Sequence, residues 1–315
     1  MREIGGYFEL ENFVNNPYHK DLVALNTARH ALIYVLRAKK IKKLYFPYFL
    51  CDSVQKILDQ EGFAYEQYYI SDTMQPLFDK NLNSDEYLYV VNYFGLFSND
   101  NILSLKEKHH NIIVDSAQAF FQRPIEGIDT IYSCRKFFGV PDGAYLSTNE
   151  YLDEALELDV SKDRMRHVFG RYEGDAQTYY ADFKENSFSF KKEPLKAMSK
   201  LTRNILGAIN YDEVIKRRNA NFDYLNTALE TYNMMAVSKP EGAFGYPFYV
   251  KNGVSFRKKM ALKKIYIPTL WTEILINCPE NSIEYDLAAN ILLLPCDQRY
   301  NLDDMAYMVQ CIKEG

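Results

Sequence analysis

Short apolar runs separated by amphipathic helical stretches predict a large, mainly parallel α/β sheet with helices on both faces, followed by a smaller α+β unit. Three observations carry this. The runs KLYFPYF and EYLYVVNYFG are mostly apolar, and NIIVDSAQ holds three apolar residues in succession, as short strands buried on both faces do. Between the runs, spacing turns helical: Ala28, Ala31, Leu32, Val35 and Leu36 fall on one face at i, i+3, i+4, i+7 and i+8. Beyond Ala208 the alternation gives way to one long helical pattern, two strands and a last helix.

Taken in order, the helix over 28–36 leads into the strand KLYFPYF. Ser53 to Gly62 reads as the next helix, FAYEQYYI as a strand, EYLYVVNYFG as a buried strand, and NILSLKEKHH as a helix. NIIVDSAQ, DTIYS and AYLST complete the strands of the first part. From Asn149 to about Ala208 the chain is polar and helical, with no Pro or Gly cluster that marks a linker. VIKRRNANFDYLNTALETY is then a long helix, GYPFYVKN and NILLLPCDQRY are strands, and NLDDMAYMVQCIKEG is a terminal helix. The expected division is 1–208 for a large ligand-binding unit and 209–315 for the smaller one. No repeat or low-complexity tract interrupts either.

With 315 residues, 47% of them hydrophobic and 25% charged, the composition is that of a folded protein with a sizeable core. A net charge of −5 argues against nucleic acid or an anionic membrane as partner, since either needs a basic stripe. No apolar run approaches the roughly 18–20 residues that span a bilayer, and the start MREIGGYFELE lacks a signal-peptide layout. The expected location is the cytoplasm and the expected partner a small molecule. The five cysteines are scattered without CxxC spacing, so they read as free thiols, most of them buried. The 26 tyrosines and 20 phenylalanines supply flat surfaces for core packing, oligomer contacts or stacking on a planar ligand.

Fingerprints of other chemistries are missing: there is no GxGxxG after a strand, no GxxxxGK[ST] and no HExxH. The five histidines are isolated or adjacent, and read as structural or solvated. Three segments carry chemical potential. LNTARHAL starts an amphipathic helix, so the N–H groups near Thr27, Ala28 and Arg29 either cap that helix in the ordinary way or receive a phosphate. In NIIVDSAQAF, Asp115 stands at the carboxyl end of a buried strand, where ligands of open α/β sheets bind. It either caps the following turn or keeps a heteroaromatic ring nitrogen protonated, with Gln118 three positions on. In DTIYSCRKFFGVPDGAYLST, a strand delivers Ser133, Arg135 and Lys136 to the same edge. Lys136 is either solvated or, beside Phe137 and Phe138, partly desolvated and nucleophilic.

Together the three segments resemble the DegT/DnrJ/EryC1/StrS aminotransferases. LNTARHAL is similar to that family's N-S-G-R-x-A-L turn, IIVDSAQAF to its D-x-A-Q/H motif, and RKFFGVPDGAYL to its K-x-x-x-x-x-D/E-G-G segment. FPYFLCDSV, VVNYFG, KRRNANFDYL, GYPFYV and ILLLPCDQRYNLDDM extend the resemblance over nearly the whole chain. It implies a type I pyridoxal-phosphate fold, with a large mixed seven-stranded sheet, a small C-terminal unit, and a homodimer with active sites at its interface. Lys136 would hold pyridoxal 5'-phosphate as a Schiff base and shuttle a proton. Asp115 would pair with the pyridinium nitrogen, Gln118 would contact the ring hydroxyl, and Thr27, Ala28, Arg29 and Ser133 would surround the phosphate. Ser133 departs from the pattern by standing three rather than five residues before the lysine, and Ala144 replaces a glycine. Cys51 occupies the position where an aromatic residue stacks on the ring, which leaves Tyr93 or Phe49 for that role.

The resemblance implies transfer of an amino group from an amino acid, glutamate first, to a keto sugar on a nucleotide, in nucleotide-sugar and polysaccharide biosynthesis. The alternative is a catalytically silent homologue that binds the cofactor or regulates. A family dehydratase disagrees with Lys136, where such an enzyme carries histidine. Arg29, Arg135, Arg217, Arg218 and Trp271 either reach substrate or serve as surface salt bridges and core packing.

Overall fold

The computed structural model describes residues 4–314. The first half of the chain builds one sheet from β1 (Val23–Leu25), α1 (Ala28–Ala38), β2 (Lys43–Pro47), α2 (Asp52–Glu61), β3 (Ala64–Ile70), β4 (Pro76–Leu77), β5 (Glu86–Val91), α3 (Asn99–His109), β6 (Ile112–Asp115), β7 (Asp129–Ser133) and β8 (Ala144–Ser147). The strand order is β1-β8-β7-β6-β5-β2-β3-β4. Neighbours from β7 through β6, β5 and β2 to β3 pair in parallel, while β8 and β4 run antiparallel to their partners. The sheet therefore has eight strands rather than the seven the resemblance implies. The extra one, β4, is a two-residue edge strand folded back on β3, and dipeptide pairing leaves no period in a sequence.

Helix ends follow local chemistry. Thr27 caps α1 by accepting from the His30 N–H, Ser98 and Asn101 form a reciprocal capping box on α3, and Gly62 ends α2 in the left-handed conformation. The polar stretch after β8 holds α4 (Arg166–Glu173), α5 (Tyr180–Ser189) and α6 (Lys200–Gly207). Then come α7 (Tyr211–Leu229), β9 (Tyr246–Tyr249), α8 (Gly253–Leu262), α9 (Ile274–Asn277), α10 (Ile283–Asn290), β10 (Ile291–Leu294) and α11 (Leu302–Lys313). β9 and β10 pair antiparallel, and a second core of Phe222, Leu225, Tyr246, Phe248, Leu292 and Met308 fills the space between them and α7 and α11.

The aromatic surplus goes largely into packing. Phe120, Phe121, Tyr132, Phe137, Phe138 and Tyr211 form one buried cluster with edge-on and tilted ring pairs 5–7 Å apart. Each fully buried phenylalanine is worth about 1.5–3 kcal/mol against exposure. Four of the five cysteines are buried, Cys51 is half-buried, and all are free thiols. No helix among the described residues is long and apolar enough to cross a membrane.

Two histidines are locked into this core. The Nε2 of His19 lies 2.8 Å from the Phe120 carbonyl, and its ring packs 4.3 Å from that of Tyr132. His30 Nδ1 lies 2.8 Å from Asn26 Oδ1. Burial, the dominant cause in both, lowers each pKa from 6.5 to about 4. The unfolded chain therefore binds two more protons than the folded one between these values, and stability falls as pH drops through that window. Each histidine contributes about 1.4 kcal/mol per pH unit there. Thermal unfolding measured from pH 7 to pH 4 should show this loss, and His19→Gln should remove about half of the slope that the two impose.

Candidate active site

The pairing register brings the predicted residues to one edge. Leu25 at the end of β1 pairs with Ala144, Ala144 pairs with Ser133 at the end of β7, and Asp115 at the end of β6 lies beside Ile131 and Val91. Because β1, β7, β6, β5 and β2 all point the same way, their carboxyl ends deliver Thr27, Lys136, Asp115, Tyr93 and Cys51 to a single rim. The strand order also reverses at β2, which sits between β5 and β3 although the chain makes it before either. Such a reversal opens the crevice where α/β sheets bind ligands.

Asp115 is nearly buried. Its Oδ1 accepts from the Ala117 N–H at 2.8 Å, closing the turn, and its Oδ2 accepts from the Tyr89 hydroxyl at 2.9 Å. Burial first, then the charge of Asp115, raises the Tyr89 phenol well above its ordinary range, so it stays a donor. Both oxygens keep a lone pair beyond these bonds. Gln118 Oε1 accepts from the Phe94 N–H at 2.7 Å, which leaves its NH2 group without a partner among the described residues. Phe94 itself sits at φ 57°, and that amide bond is what the strained position offers in return.

Tyr93 and Phe49 are fully buried. The Tyr93 hydroxyl donates to the Phe49 carbonyl at 2.7 Å, and Trp271 packs edge-on against Phe49 at 4.9 Å. Cys51, half-buried, is the residue before α2 and lies 2.9 Å from the Ser53 hydroxyl. A cavity of about 330 Å³ opens beside it, walled by Tyr48, Asp52, Gln67, Glu273 and Asn277. Neither Lys136 nor Asp115 lines that cavity.

The lysine turn is held from behind. Asp142 is wholly buried and accepts from the Ser199 N–H at 2.9 Å, from the Ser199 hydroxyl at 2.7 Å and from the Thr202 hydroxyl, so it anchors the start of α6, which Ser199 caps by accepting from the Thr202 N–H. Gly143 follows at φ +116°, where any side chain is strained, and donates to the Asn26 carbonyl at 2.6 Å; a Cβ would also fit tightly, 3.0 Å from Thr202 and 3.2 Å from Cys134. Only glycine serves at this position. Ala144, the first residue of β8, is fully buried between the ends of β1 and β7, where a methyl group fits. Ser133 is nearly buried, and Lys136 is exposed, with its Nζ 5.7 Å from the Phe244 ring centre.

That exposure corrects one expectation. Phe137 and Phe138 do not desolvate the lysine; they turn inward against Phe120 and Phe121, and the tight turn puts Lys136 on the opposite side. Among the arginines, Arg217 forms an exposed ion pair with Glu213, as a surface helix residue does. Arg218 is buried and bonds to Gln298 and to the carbonyls of Ala243 and Phe137. Arg29 and Arg135 have no carboxylate within ion-pair distance among the described residues, contrary to the salt-bridge expectation. Tyr89 was not foreseen as a site residue. Its position two residues before Val91, the partner of Asp115, is the register signal that points to it.

No family model matches the sequence, and no curated protein matches it significantly. Solved structures do. A DegT DnrJ EryC1 StrS aminotransferase from Brucella abortus aligns over 94% of this chain and 86% of its own, at 14% identity and a TM-score of 0.58. Sugar aminotransferase CalS13 from Micromonospora echinospora aligns over 93% and 87%, at 13% identity and a TM-score of 0.62. Spr1654 from Streptococcus pneumoniae, solved in a PLP-form, aligns over 93% and 86%, at 14% identity and a TM-score of 0.61. Nearly the whole chain, with its eight-stranded mixed sheet, thus has the fold of these aminotransferase structures.

Proposed function

We propose that this chain is a pyridoxal-phosphate-dependent aminotransferase. The observation that carries the reading is the meeting of Lys136, Asp115 and the N-terminus of α1 on the carboxyl edge of one sheet. The residues present fit the cofactor. Asp115 has a carboxylate lone pair to spare on each oxygen, Gln118 has an uncommitted NH2 group, and Lys136 has an amine with no hydrogen-bond partner among the described residues. Asp115 would hold the ring nitrogen, Gln118 the ring hydroxyl, and Thr27, Ala28 and Ser133 the phosphate. When bound, the cofactor supplies an electron sink that weakens bonds at the substrate's Cα. The chain's own contribution is positioning and proton transfer. Tyr89 and the Ala117 N–H fix the Asp115 carboxylate in the rim, and Lys136 Nζ accepts and returns the proton. Exposure of Lys136 gives substrate access to that nitrogen.

For substrates we infer an amino-acid donor, glutamate first, and a nucleotide-linked keto sugar as acceptor, which would place the reaction in nucleotide-sugar and polysaccharide biosynthesis, in the cytoplasm. The name of CalS13 as a sugar aminotransferase supports the sugar class. We infer a homodimer as well. Ile4, Tyr7 and Phe8 are almost fully exposed, and Phe169, Tyr172, Phe183 and Phe188 are exposed on α4 and α5, side chains that a subunit contact would cover. The division at 208/209 separates the cofactor-binding unit from the smaller one in this reading.

Absorption spectra test the proposal directly. Wild-type protein with pyridoxal phosphate should develop a visible band that borohydride fixes as a covalent adduct, and Lys136→Ala should show neither. A band that no amino donor converts would favour the silent, cofactor-binding homologue. No band at saturating cofactor would end the proposal and leave only the fold.

A further inference from the structure

We propose that α8 and the turns at its two ends form a surface that docks on an anionic phospholipid bilayer. The inference stands apart from the function proposed above, since it uses no residue of the sheet edge. Its first support is the distribution of charge. Residues 242–272 contain Lys251, Arg257, Lys258, Lys259, Lys263 and Lys264 and no aspartate or glutamate, so the segment carries +6 and the rest of the chain −11. The net charge of −5 is thus an average over two unlike parts, and it conceals a local basic cluster. At a charged surface the cluster decides, because a Debye length of about 8 Å at physiological salt screens the charges farther away.

The fold turns this cluster outward and fixes it. Arg257 is buried and donates to the carbonyls of Ala288, Ala289 and Ile291 at 3.0, 2.9 and 2.7 Å, which pins α8 to the end of α10. Gly253 brings the start of α8 onto the same place, where a Cβ would stand 2.6 Å from the Ala289 carbonyl oxygen. The lysines are left on the far side. Lys251, Lys258 and Lys264 are exposed and form no ion pair with a described residue, while Lys263, half-buried, pairs with Glu314 at 3.1 Å. Lysines at the end of a helix also serve its dipole, and that accounts for Lys263 and Lys264. It does not account for Lys251, which precedes the helix.

A second, independent sign is apolar. Val254, Lys258 and Leu262, at i, i+4 and i+8, share the outward ridge of α8, away from Arg257 and Met260 in the interior. Leu262 is 87% exposed, and Tyr266, in the turn after the helix, is exposed as well. An aliphatic ridge gains nothing from a nucleic acid or an acidic chain in solution, whose backbones offer charge alone. A bilayer matches both parts of the pattern. Aliphatic side chains enter the boundary between headgroups and acyl chains, lysines reach along their stems to the phosphates, and tyrosine sits at the interface. The exposed cations are lysines, compact point charges, whereas bidentate recognition of one phosphate would call for arginine. Point charges around a leucine ridge suit a mobile array of lipid phosphates.

The test sediments the full chain with vesicles of phosphatidylcholine alone and of equal parts phosphatidylcholine and phosphatidylglycerol. Binding to the anionic vesicles should be about 100-fold tighter than to the neutral ones, since each lysine near such a surface contributes about fivefold. It should weaken as salt rises from about 50 to about 500 mM. Lys258→Glu combined with Lys264→Glu should reduce binding to the neutral level, and Lys258→Arg with Lys264→Arg should match wild type. Leu262→Ser, which keeps every charge, should weaken binding about 10-fold. All three positions are exposed, so an unchanged melting temperature verifies the fold of each variant. Binding that Leu262→Ser leaves unchanged and that soluble polyaspartate competes away would assign the surface to an acidic macromolecule and overturn the bilayer. No binding to anionic vesicles, or binding indifferent to the charge reversal, would overturn the proposal outright. A chain that binds vesicles through α8 yet traps no pyridoxal phosphate would refute the proposed function and leave this inference standing.

Discussion

Asp115→Asn should reduce amino-transfer turnover by about 10²–10³-fold while leaving the borohydride-trapped adduct on Lys136 intact. The substitution is nearly isosteric: the Ala117 N–H can still donate to the amide oxygen, and the amide NH2 can donate to the Tyr89 oxygen in place of accepting from it, so the turn after β6 survives. What vanishes is a fixed negative charge at a nearly buried strand end. There the medium screens it poorly, and in the proposed function this is the charge that would hold a protonated ring nitrogen. Removing one preorganised electrostatic partner of this kind costs about 3–4 kcal/mol of transition-state stabilisation. Single-turnover measurement of the first half-reaction, with glutamate as donor, reads the loss without a keto substrate. Turnover within tenfold of wild type would assign Asp115 to capping alone, the ordinary reading of an aspartate at a strand end.

The distinction mattered already in the sequence, because local chemistry and ligand chemistry call for the same residue types. Strands β5 and β6 were legible because burial on both faces leaves apolar residues in succession, Leu88 to Val91 and Ile112 to Val114, and β7 was legible from the β-branched and aromatic residues Thr130, Ile131 and Tyr132. β1 escaped because its three residues, Val23–Leu25, have no period to show. α8 and α10 escaped for another reason. Gly253 begins α8 after Asn252 at φ 63°, and α10 runs straight into β10 with no punctuation between them. Which residues reach the rim was legible for Asp115 and Lys136, since a strand end is marked by its last apolar residue. Burial at the rim was not, because it depends on which way consecutive residues turn. Phe137 and Phe138 read as a shield for Lys136 and are instead part of the core. The same limit explains Tyr93 and Phe49. Both stand after strand ends, yet a hydroxyl-to-carbonyl bond and Trp271, which is remote in sequence, hold them in the interior.

Arg218→Leu is the substitution expected to cost most in stability, about 3 kcal/mol, with a fall in melting temperature of roughly 5 °C. Arg218 sits on α7 at 1% exposure and ties three parts of the chain together. It donates to Gln298 Oε1 at 2.7 Å, to the Ala243 carbonyl at 2.7 Å and to the Phe137 carbonyl at 3.2 Å, with its guanidinium 4.7 Å from the Phe137 ring centre. Burial pulls its pKa down to about 10, so the folded chain already bears a desolvation cost to keep the charge inside. Leucine removes that cost but orphans Gln298 Oε1 and leaves the Ala243 carbonyl only the weak Cys296 thiol donor at 4.0 Å; Phe137 keeps one donor, the Gln298 amide at 2.9 Å. One stranded acceptor and one poorly served one outweigh one relieved cation, which sets the sign. The same geometry links stability to the site, because Phe137 follows Lys136 directly. The variant should therefore trap cofactor like wild type at low temperature and lose that ability within the same thermal transition that unfolds it. A melting temperature unchanged by Arg218→Leu would show that the three carbonyl groups find water or new donors, and that the lysine turn is held by Asp142 and α6 alone.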